Sequence, residues 1–303
     1  MIVLLCPGQG SQKPGFLSEW LEIASFREQF DQLSDAVSID LIKHGTLSDE
    51  ETIRDTAVAQ PLIVASSIAS ANLLNLAGVS GVAGHSVGEV SATSIAGILS
   101  NQSAMQLVNV RAKAMAKAAA ASEQSMAAIL GGAEEVVIAK LSELGLSGAN
   151  FNGAGQIVAA GSKSVIQELV SSPPEGAKVI ALSVAGAFHT KFMEPAITEL
   201  VAFTASLPVT DPKVSIWSNQ AGQVVTTGTE FINLLVGQVA NSVRWDLCMQ
   251  AMVSAGVTGV IEVSPAGTLA GLAKRGMPGV EIVALKSPAD LDSANSLIAR
   301  LGK

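Results

Sequence analysis

The pentad Gly84-His85-Ser86-Val87-Gly88 limits the fold of this chain more than any other stretch. It follows the short apolar run Ala77-Gly78-Val79-Ser80-Gly81-Val82-Ala83 and precedes Glu89–Leu99, whose pattern is helical and ends near Ser100-Asn101. A strand that passes into a helix through so few residues turns sharply. Side chains at its first and last positions would collide with neighbouring backbone, so glycine suits both. This is the form of a nucleophile elbow, with Ser86 at a helix N-terminus where unpaired backbone N–H groups face whatever the hydroxyl attacks. A structural turn with an inert serine satisfies the same pattern, so other residues must decide between the two.

Strand-like runs alternate with helical patterns on either side of the elbow. Ile2–Cys6 reads as a strand, Phe16–Leu33 as the region of a helix, and Pro61–Leu76 as a helix with Pro61 in its first turn. The Val82 strand follows, then two helices through Ala120, the second of them the Ala-rich Ser103–Ala121. This alternation predicts an α/β protein with a parallel sheet covered on both faces. Between Ser125 and Val184 the rhythm changes to strands at Met126–Leu130, Gly148–Phe151, Ile157–Ala160 and Lys178–Ser183, with helices at Glu134–Leu144 and Lys163–Leu169. That βαββαβ order is the ferredoxin-like unit, and Asn152-Gly153-Ala154-Gly155 suits a hairpin inside it. The expected organisation is a small domain, residues 125–187, inserted into a larger one made of 1–124 and 188–303. Strands at Val214–Trp217, Val260–Val263 and Glu281–Ala284 complete the larger sheet.

Composition removes several functions. The chain of 303 residues is 49% apolar, and its 18 basic against 26 acidic residues give a net charge of −8, which argues against a nucleic-acid binder. The longest apolar stretches, such as Pro61–Ala71, carry serines and fall short of the ~20 residues of a membrane span. Met1–Cys6 lacks a basic leader and a cleavage site, so a cytoplasmic location is expected. Cys6 and Cys248 read as reduced core residues, and no Cys/His spacing suggests a metal.

A serine nucleophile needs a base, and histidine is the usual one. Of three histidines, His85 adjoins Ser86 and is expected to pack or hydrogen-bond locally, while His44 reads as a helix C-terminal residue. His189, in Gly186-Ala187-Phe188-His189-Thr190, stands where the small domain ends, so it is expected to border an interdomain cleft. Spacing alone leaves it as readily a satisfied structural histidine.

With these residues assembled, the chain resembles the malonyl-CoA:acyl carrier protein transacylases of bacterial fatty-acid synthesis and the related acyltransferase domains of polyketide synthases. The likeness covers its whole length. Pro7-Gly8-Gln9-Gly10-Ser11-Gln12 resembles the N-terminal signature, Gly84–Glu89 the nucleophile motif and Phe188-His189 the base motif. Arg111 in Val110-Arg111-Ala112-Lys113, Asn152 in Asn150-Phe151-Asn152, and Asn241-Ser242-Val243-Arg244-Trp245 match further. The resemblance implies an α/β-hydrolase-like core carrying the ferredoxin-like insertion. It also implies a Ser86–His189 dyad in which a backbone carbonyl, placed by the motif at Arg244, orients the imidazole. Asp246 and Asp211 are the remaining candidates for a conventional third member, each more readily read as a solvated loop or cap aspartate.

By the same correspondence the amides of Gln9 and Val87 form an oxyanion hole, where each donor is typically worth about 3 kcal/mol. Arg111 would bind the malonyl carboxylate through two parallel hydrogen bonds, although a lone arginine on an Ala-rich helix is ordinarily solvated. Phe188 resembles the residue of malonyl-selective relatives, and Asn152 an active-site amide or, equally, a turn asparagine. The implied reaction carries malonyl from malonyl-CoA through Ser86 to the phosphopantetheine thiol of acyl carrier protein, with no bound cofactor or metal. Lys191, Lys274 and Arg275 are a first guess at the carrier-binding surface. A serine thioesterase, the transferase of a malonate decarboxylase system and a non-catalytic carrier-binding subunit are the competing readings.

Overall fold

The computed structural model describes residues 1–184 and 186–302; Ala185, inside the expected small domain, and Lys303 lie outside the described residues. In chain order the strands are β1 (Ile2–Cys6), β2 (Gly81–Gly84), β3 (Gln124–Gly131), β4 (Ser147–Gly153), β5 (Gln156–Ser162), β6 (Ala177–Leu182), β7 (Ser215–Trp217), β8 (Val224–Val225), β9 (Val243–Arg244), β10 (Gly259–Glu262) and β11 (Glu281–Ala284).

One sheet has the order β11-β10-β1-β2-β7-β8 and is parallel throughout except for β8, which runs antiparallel to β7. Every residue of β1 is buried, and its side chains divide between two cores. Ile2, Leu4 and Cys6 join the cluster on one face, and Val3 and Leu5 join Trp217, Trp245 and Met249 on the other. An alternating strand with apolar residues at every position is what a sheet covered on both faces requires. The carboxyl ends of β1 and β2 lie side by side, with Cys6 in register with Gly84, so the Pro7–Gln12 loop and the elbow emerge together. Ligands of parallel α/β sheets bind at these carboxyl ends.

The second sheet has the order β6-β3-β5-β4-β9. Its first four strands are antiparallel neighbours and, with helices Glu134–Glu143 and Lys163–Ser171, follow the βαββαβ order expected from the pattern. Val137, Leu141, Ile166 and Leu169 of those helices pack on Ala127, Ile129, Ile157 and Ala159. Alternate residues, Met126, Val158 and Ala160, turn to the other face and join the large core. The turn at Ala154-Gly155 has positive φ at both residues, as a two-residue hairpin demands.

Two local readings are corrected, and one short strand is added. The helix that holds Pro61 is Thr56–Ala71, because the Asp55 side chain accepts from Ala57 N at 2.8 Å and starts it five residues earlier; Pro61 therefore lies inside the helix, not in its first turn. The expected helix over Phe16–Leu33 is broken at Ile23, which is extended. A short 3-10 turn (Trp20–Glu22) precedes the break and Ala24–Asp35 follows it, and Arg27 Nε takes the Leu21 carbonyl that the break frees. Strand β9 had no expectation at all: two residues long, it pairs parallel with β4 and ties the chain after residue 188 into the small sheet. Among the described residues no helix is long and apolar enough to cross a membrane.

Candidate active site

The elbow connects β2 to the helix Gly88–Ile95, and Ser86 between them has φ 55°. A non-glycine residue at positive φ is strained and persists only where its surroundings over-determine it. The surroundings here are specific. A Cβ on Gly84 would overlap Gly88 and Glu89 backbone, and one on Gly88 would overlap the Cys6 carbonyl. His85 N donates to Cys6 O at 3.0 Å and Gly88 N to His85 O at 2.9 Å. Asn219, just beyond β7, pins the turn from outside: its Oδ1 accepts from Ser86 N (2.8 Å) and its Nδ2 donates to Gly84 O (2.7 Å).

Ser86 Oγ lies 2.6 Å from His189 Nε2. The other ring nitrogen, Nδ1, is 2.8 Å from the main-chain oxygen of Gln238. A carbonyl only accepts, so Nδ1 carries the proton and Nε2 is left with a lone pair directed at the serine hydroxyl. His189 has φ 61° and its own N–H donates to Val239 O at 3.0 Å, so Gln238-Val239 holds both ring and backbone. Burial, reinforced by the nearby Arg111 charge, pushes the imidazole down to about 3. It is therefore neutral, the form that acts as a base, across and well below neutral pH. By linkage, the unfolded chain takes up this proton below pH 6.5 while the folded one does not until about 3, so the site costs stability as pH falls through that window.

The carbonyl expected from Arg244 is thus Gln238's. Arg244 lies in β9, donates its N–H to Asn219 O (2.8 Å), pairs with Asp246 at 3.0 and 2.7 Å, and places its guanidinium over the Phe151 ring. Asp211 accepts from Gly228 N, so neither aspartate reaches the imidazole. His85 packs as expected, but its hydrogen bond reaches far along the chain. Its Nε2 meets Asn152 Oδ1 at 2.9 Å, across the boundary between the two sheets, and its ring meets Trp245 edge-on.

Arg111 is completely buried. Nη1 donates to Gln60 Oε1 (2.7 Å), and Nη2 to Gln238 Oε1 (2.9 Å) and Ser86 Oγ (3.4 Å). Its Nε has no partner among the described residues. Burial lowers this guanidinium to about 10, so it remains charged near neutral pH, with Glu89 pulling the other way. Glu89 is itself buried: Oε1 accepts from Asn219 N and Oε2 from Gln238 Nε2, both at 2.6 Å. Burial pushes its carboxyl up, while the Asn219 N–H, the Arg111 charge and the Gln238 amide pull it down; with an N–H donated to each oxygen, the geometry is that of the carboxylate.

Ser86 and His189 open on a cavity of about 430 Å³ at the carboxyl ends of β1 and β2, lined also by Gln9, Gln60, Asn152 and Phe188 among others. The amides of Gln9 and Val87 have no acceptor among the described residues. Of the residues expected from sequence, Ser86, His189, Gln9, Phe188 and Asn152 line one cavity, Arg111 touches Ser86, and Arg244 lies outside it. Gln60, Glu89, Asn219 and Gln238 were not anticipated. Burial pushes the Cys6 and Cys248 thiols far up, leaving both unreactive.

The arrangement suits attack of a serine on an acyl group, with a neutral histidine as base and a buried cation beside the new bond. Comparison with known proteins shows the family. Residues 3–288 match the family described as the acyl transferase domain. The chain is 46% identical over 302 residues to the malonyl CoA-acyl carrier protein transacylase of Mycobacterium tuberculosis H37Rv, covering 98% of this chain and 100% of the relative. It resembles the crystal structure of the Mycobacterium tuberculosis MCAT with a TM-score of 0.94 at 46% identity, covering 97% and 99% of the two chains. It also resembles a malonyl-transacylase solved in complex with its type II PKS acyl-carrier protein, with a TM-score of 0.91 at 27% identity and coverage of 97% and 99%.

Two outcomes follow for the site. Asn219→Ala leaves Ser86 N and Gly84 O buried without partners and lowers stability by about 3 kcal/mol in urea denaturation; a loss under about 1 kcal/mol contradicts the pinning role. For a transfer that uses His189 as its base, the acid limb of kcat/KM lies below pH 6.5, because the imidazole stays neutral there, and a limb centred at 6.5 contradicts it.

Proposed function

Because the chain belongs to the acyl transferase domain family, we propose that it moves malonyl from malonyl-CoA to the phosphopantetheine thiol of an acyl carrier protein through a malonyl-Ser86 ester. It is an acyltransferase. The observation that carries the choice of acyl group is Arg111: a buried guanidinium 3.4 Å from the serine oxygen, with Nε unpartnered, suits a carboxylate that arrives with the substrate.

In the first half-reaction Ser86 Oγ forms a bond to the thioester carbonyl carbon while its proton passes to His189 Nε2. The carbon–sulfur bond then breaks, and the CoA sulfur takes that proton. The second half runs in reverse with the carrier thiol: its proton goes to Nε2, its sulfur attacks the ester, and Ser86 recovers its hydroxyl. Gln9 N and Val87 N donate to the oxyanion formed in each half. The main-chain oxygen of Gln238 holds Nδ1–H in place, so no acidic third member is required. Phe188 and Asn152 bound the acyl chamber, and no step calls for a bound cofactor.

We read residues 1–124 and 188–303 as an α/β-hydrolase-like catalytic unit and 125–187 as a ferredoxin-like insertion. The β6-β3-β5-β4 order and the two helices on one face support the second part. The cytoplasmic location expected from sequence belongs to the same proposal.

With labelled malonyl-CoA and carrier protein, the wild type is expected to move label to the carrier thiol and release little free malonate. Release of malonate without acceptor preference would instead identify a thioesterase. In the same assay Arg111→Ala lowers malonyl transfer about 100-fold, the scale of two charge-assisted hydrogen bonds, and acetyl transfer far less. Equal losses would remove Arg111 from substrate recognition.

A further inference from the structure

Glu89 has no part in the reaction above, yet it is 1% exposed in the first turn of the elbow helix. An acidic residue at a helix N-terminus is ordinary, but a buried one needs more than the dipole to offset its lost hydration. Its two oxygens are each taken by one N–H, that of Asn219 and that of the Gln238 side chain. The far end of the same Gln238 amide accepts from Arg111 Nη2. One amide therefore spans an acid and a cation, and its polarity is determined: turned around, it would set NH2 against the guanidinium and oxygen against the carboxyl group. The main-chain oxygen of this residue is also the acceptor for His189 Nδ1–H. Gln238 thus touches both the base and the arginine, and of the three acceptors around its Nε2, Glu89 Oε2 at 2.6 Å is nearer than Ser86 O at 3.0 Å or Asn219 Oδ1 at 3.1 Å and is the charged one that orients it.

We propose that Glu89 is a positioning residue for the transfer: its carboxyl holds the Gln238 side chain in the orientation that directs Oε1 at Arg111 while the main-chain oxygen stays on His189. This rests on the roles given above to Ser86, His189 and Arg111. Glu89 itself meets neither substrate nor the reacting atoms.

The near-isosteric Glu89→Gln isolates this role. A carboxamide has one accepting oxygen for two incoming N–H groups. The Asn219 N–H is fixed in the chain just after β7, whereas the Gln238 side chain turns about its own bonds and has two other acceptors, Ser86 O at 3.0 Å and Asn219 Oδ1 at 3.1 Å, to move onto, so Gln238 is the partner displaced. Both malonyl and acetyl loading suffer from a less well held base, and only malonyl loading suffers from a misdirected Arg111. Rates of first-turnover loading of Ser86 from saturating malonyl-CoA and acetyl-CoA, followed by quenched intact-mass analysis and scaled to the final loaded fraction, read out both.

The malonyl-to-acetyl rate ratio is expected to fall about tenfold, the scale of one hydrogen bond to a charged partner. A purely structural role would lower thermal stability or the loaded fraction and leave the ratio at its wild-type value, which would overturn the proposal. Gln238→Met keeps the main-chain oxygen and removes the amide, so it is expected to lower the same ratio even if Glu89→Gln fails to fold. An unchanged ratio in Gln238→Met overturns the proposal equally. Where both variants fold, the double variant is expected to lose no more malonyl loading than the worse single one, because Glu89 acts through Gln238; additive losses contradict this. Wild-type protein that forms no malonyl adduct would refute the proposed function itself, whereas a normal wild type with unshifted variants refutes the role of Glu89 alone.

Discussion

The site depends on holding one serine in a backbone conformation that serine disfavours. Ser86 takes positive φ because β2 and the following helix leave no room for a wider turn, and two glycines admit the close approach. Glycine permits this turn but does not select it. Selection comes from Asn219, which bonds to both sides of the elbow and is delivered by a strand hydrogen-bonded to β2. Because Asn219 also accepts from the Gln238 amide and donates its own N–H to Glu89, the nucleophile, the residue behind the base and the buried acid form one connected network.

Electrostatics follow from that connection. A buried arginine favours the neutral form of His189 and costs the protein solvation, while Glu89 and three side-chain acceptors offset part of the cost. A base with an aspartate on Nδ1 would be drawn toward its protonated form. A main-chain oxygen orients the ring with a weaker pull, which suits a base beside a cation. Arg111 Nε is buried without a partner among the described residues, a donor that suits the carboxylate of the proposed acyl group.

Local signals were legible in the sequence and long-range ones were not. The elbow is contiguous, so glycine spacing and an apolar run expose it; the βαββαβ order reads equally well because each element carries its own period. Arg111 stands out only through its motif, since an Ala-rich helix gives no reason to bury it. Gln238 was missed because its carbonyl does the orienting and any residue has one, so the expectation settled on Arg244, six residues on in a more conspicuous motif. Asn219 carries a usable signal, as it lies two residues past the Val214–Trp217 run at the carboxyl end of a sheet strand. Glu89 belongs to the nucleophile motif, but its role depends on two partners more than 120 residues away. Pro61 misled because a general preference for first turns yielded to the Asp55 cap, and β9 is too short to show a period.

The central claim is that Ser86 carries the malonyl group as a covalent ester. Intact-mass measurement after brief mixing with malonyl-CoA tests it most directly. The account requires one malonyl adduct per chain, absent from Ser86→Ala and lost from the wild type when acyl carrier protein is added. An unmodified wild-type chain, or an adduct that persists in Ser86→Ala, would contradict it.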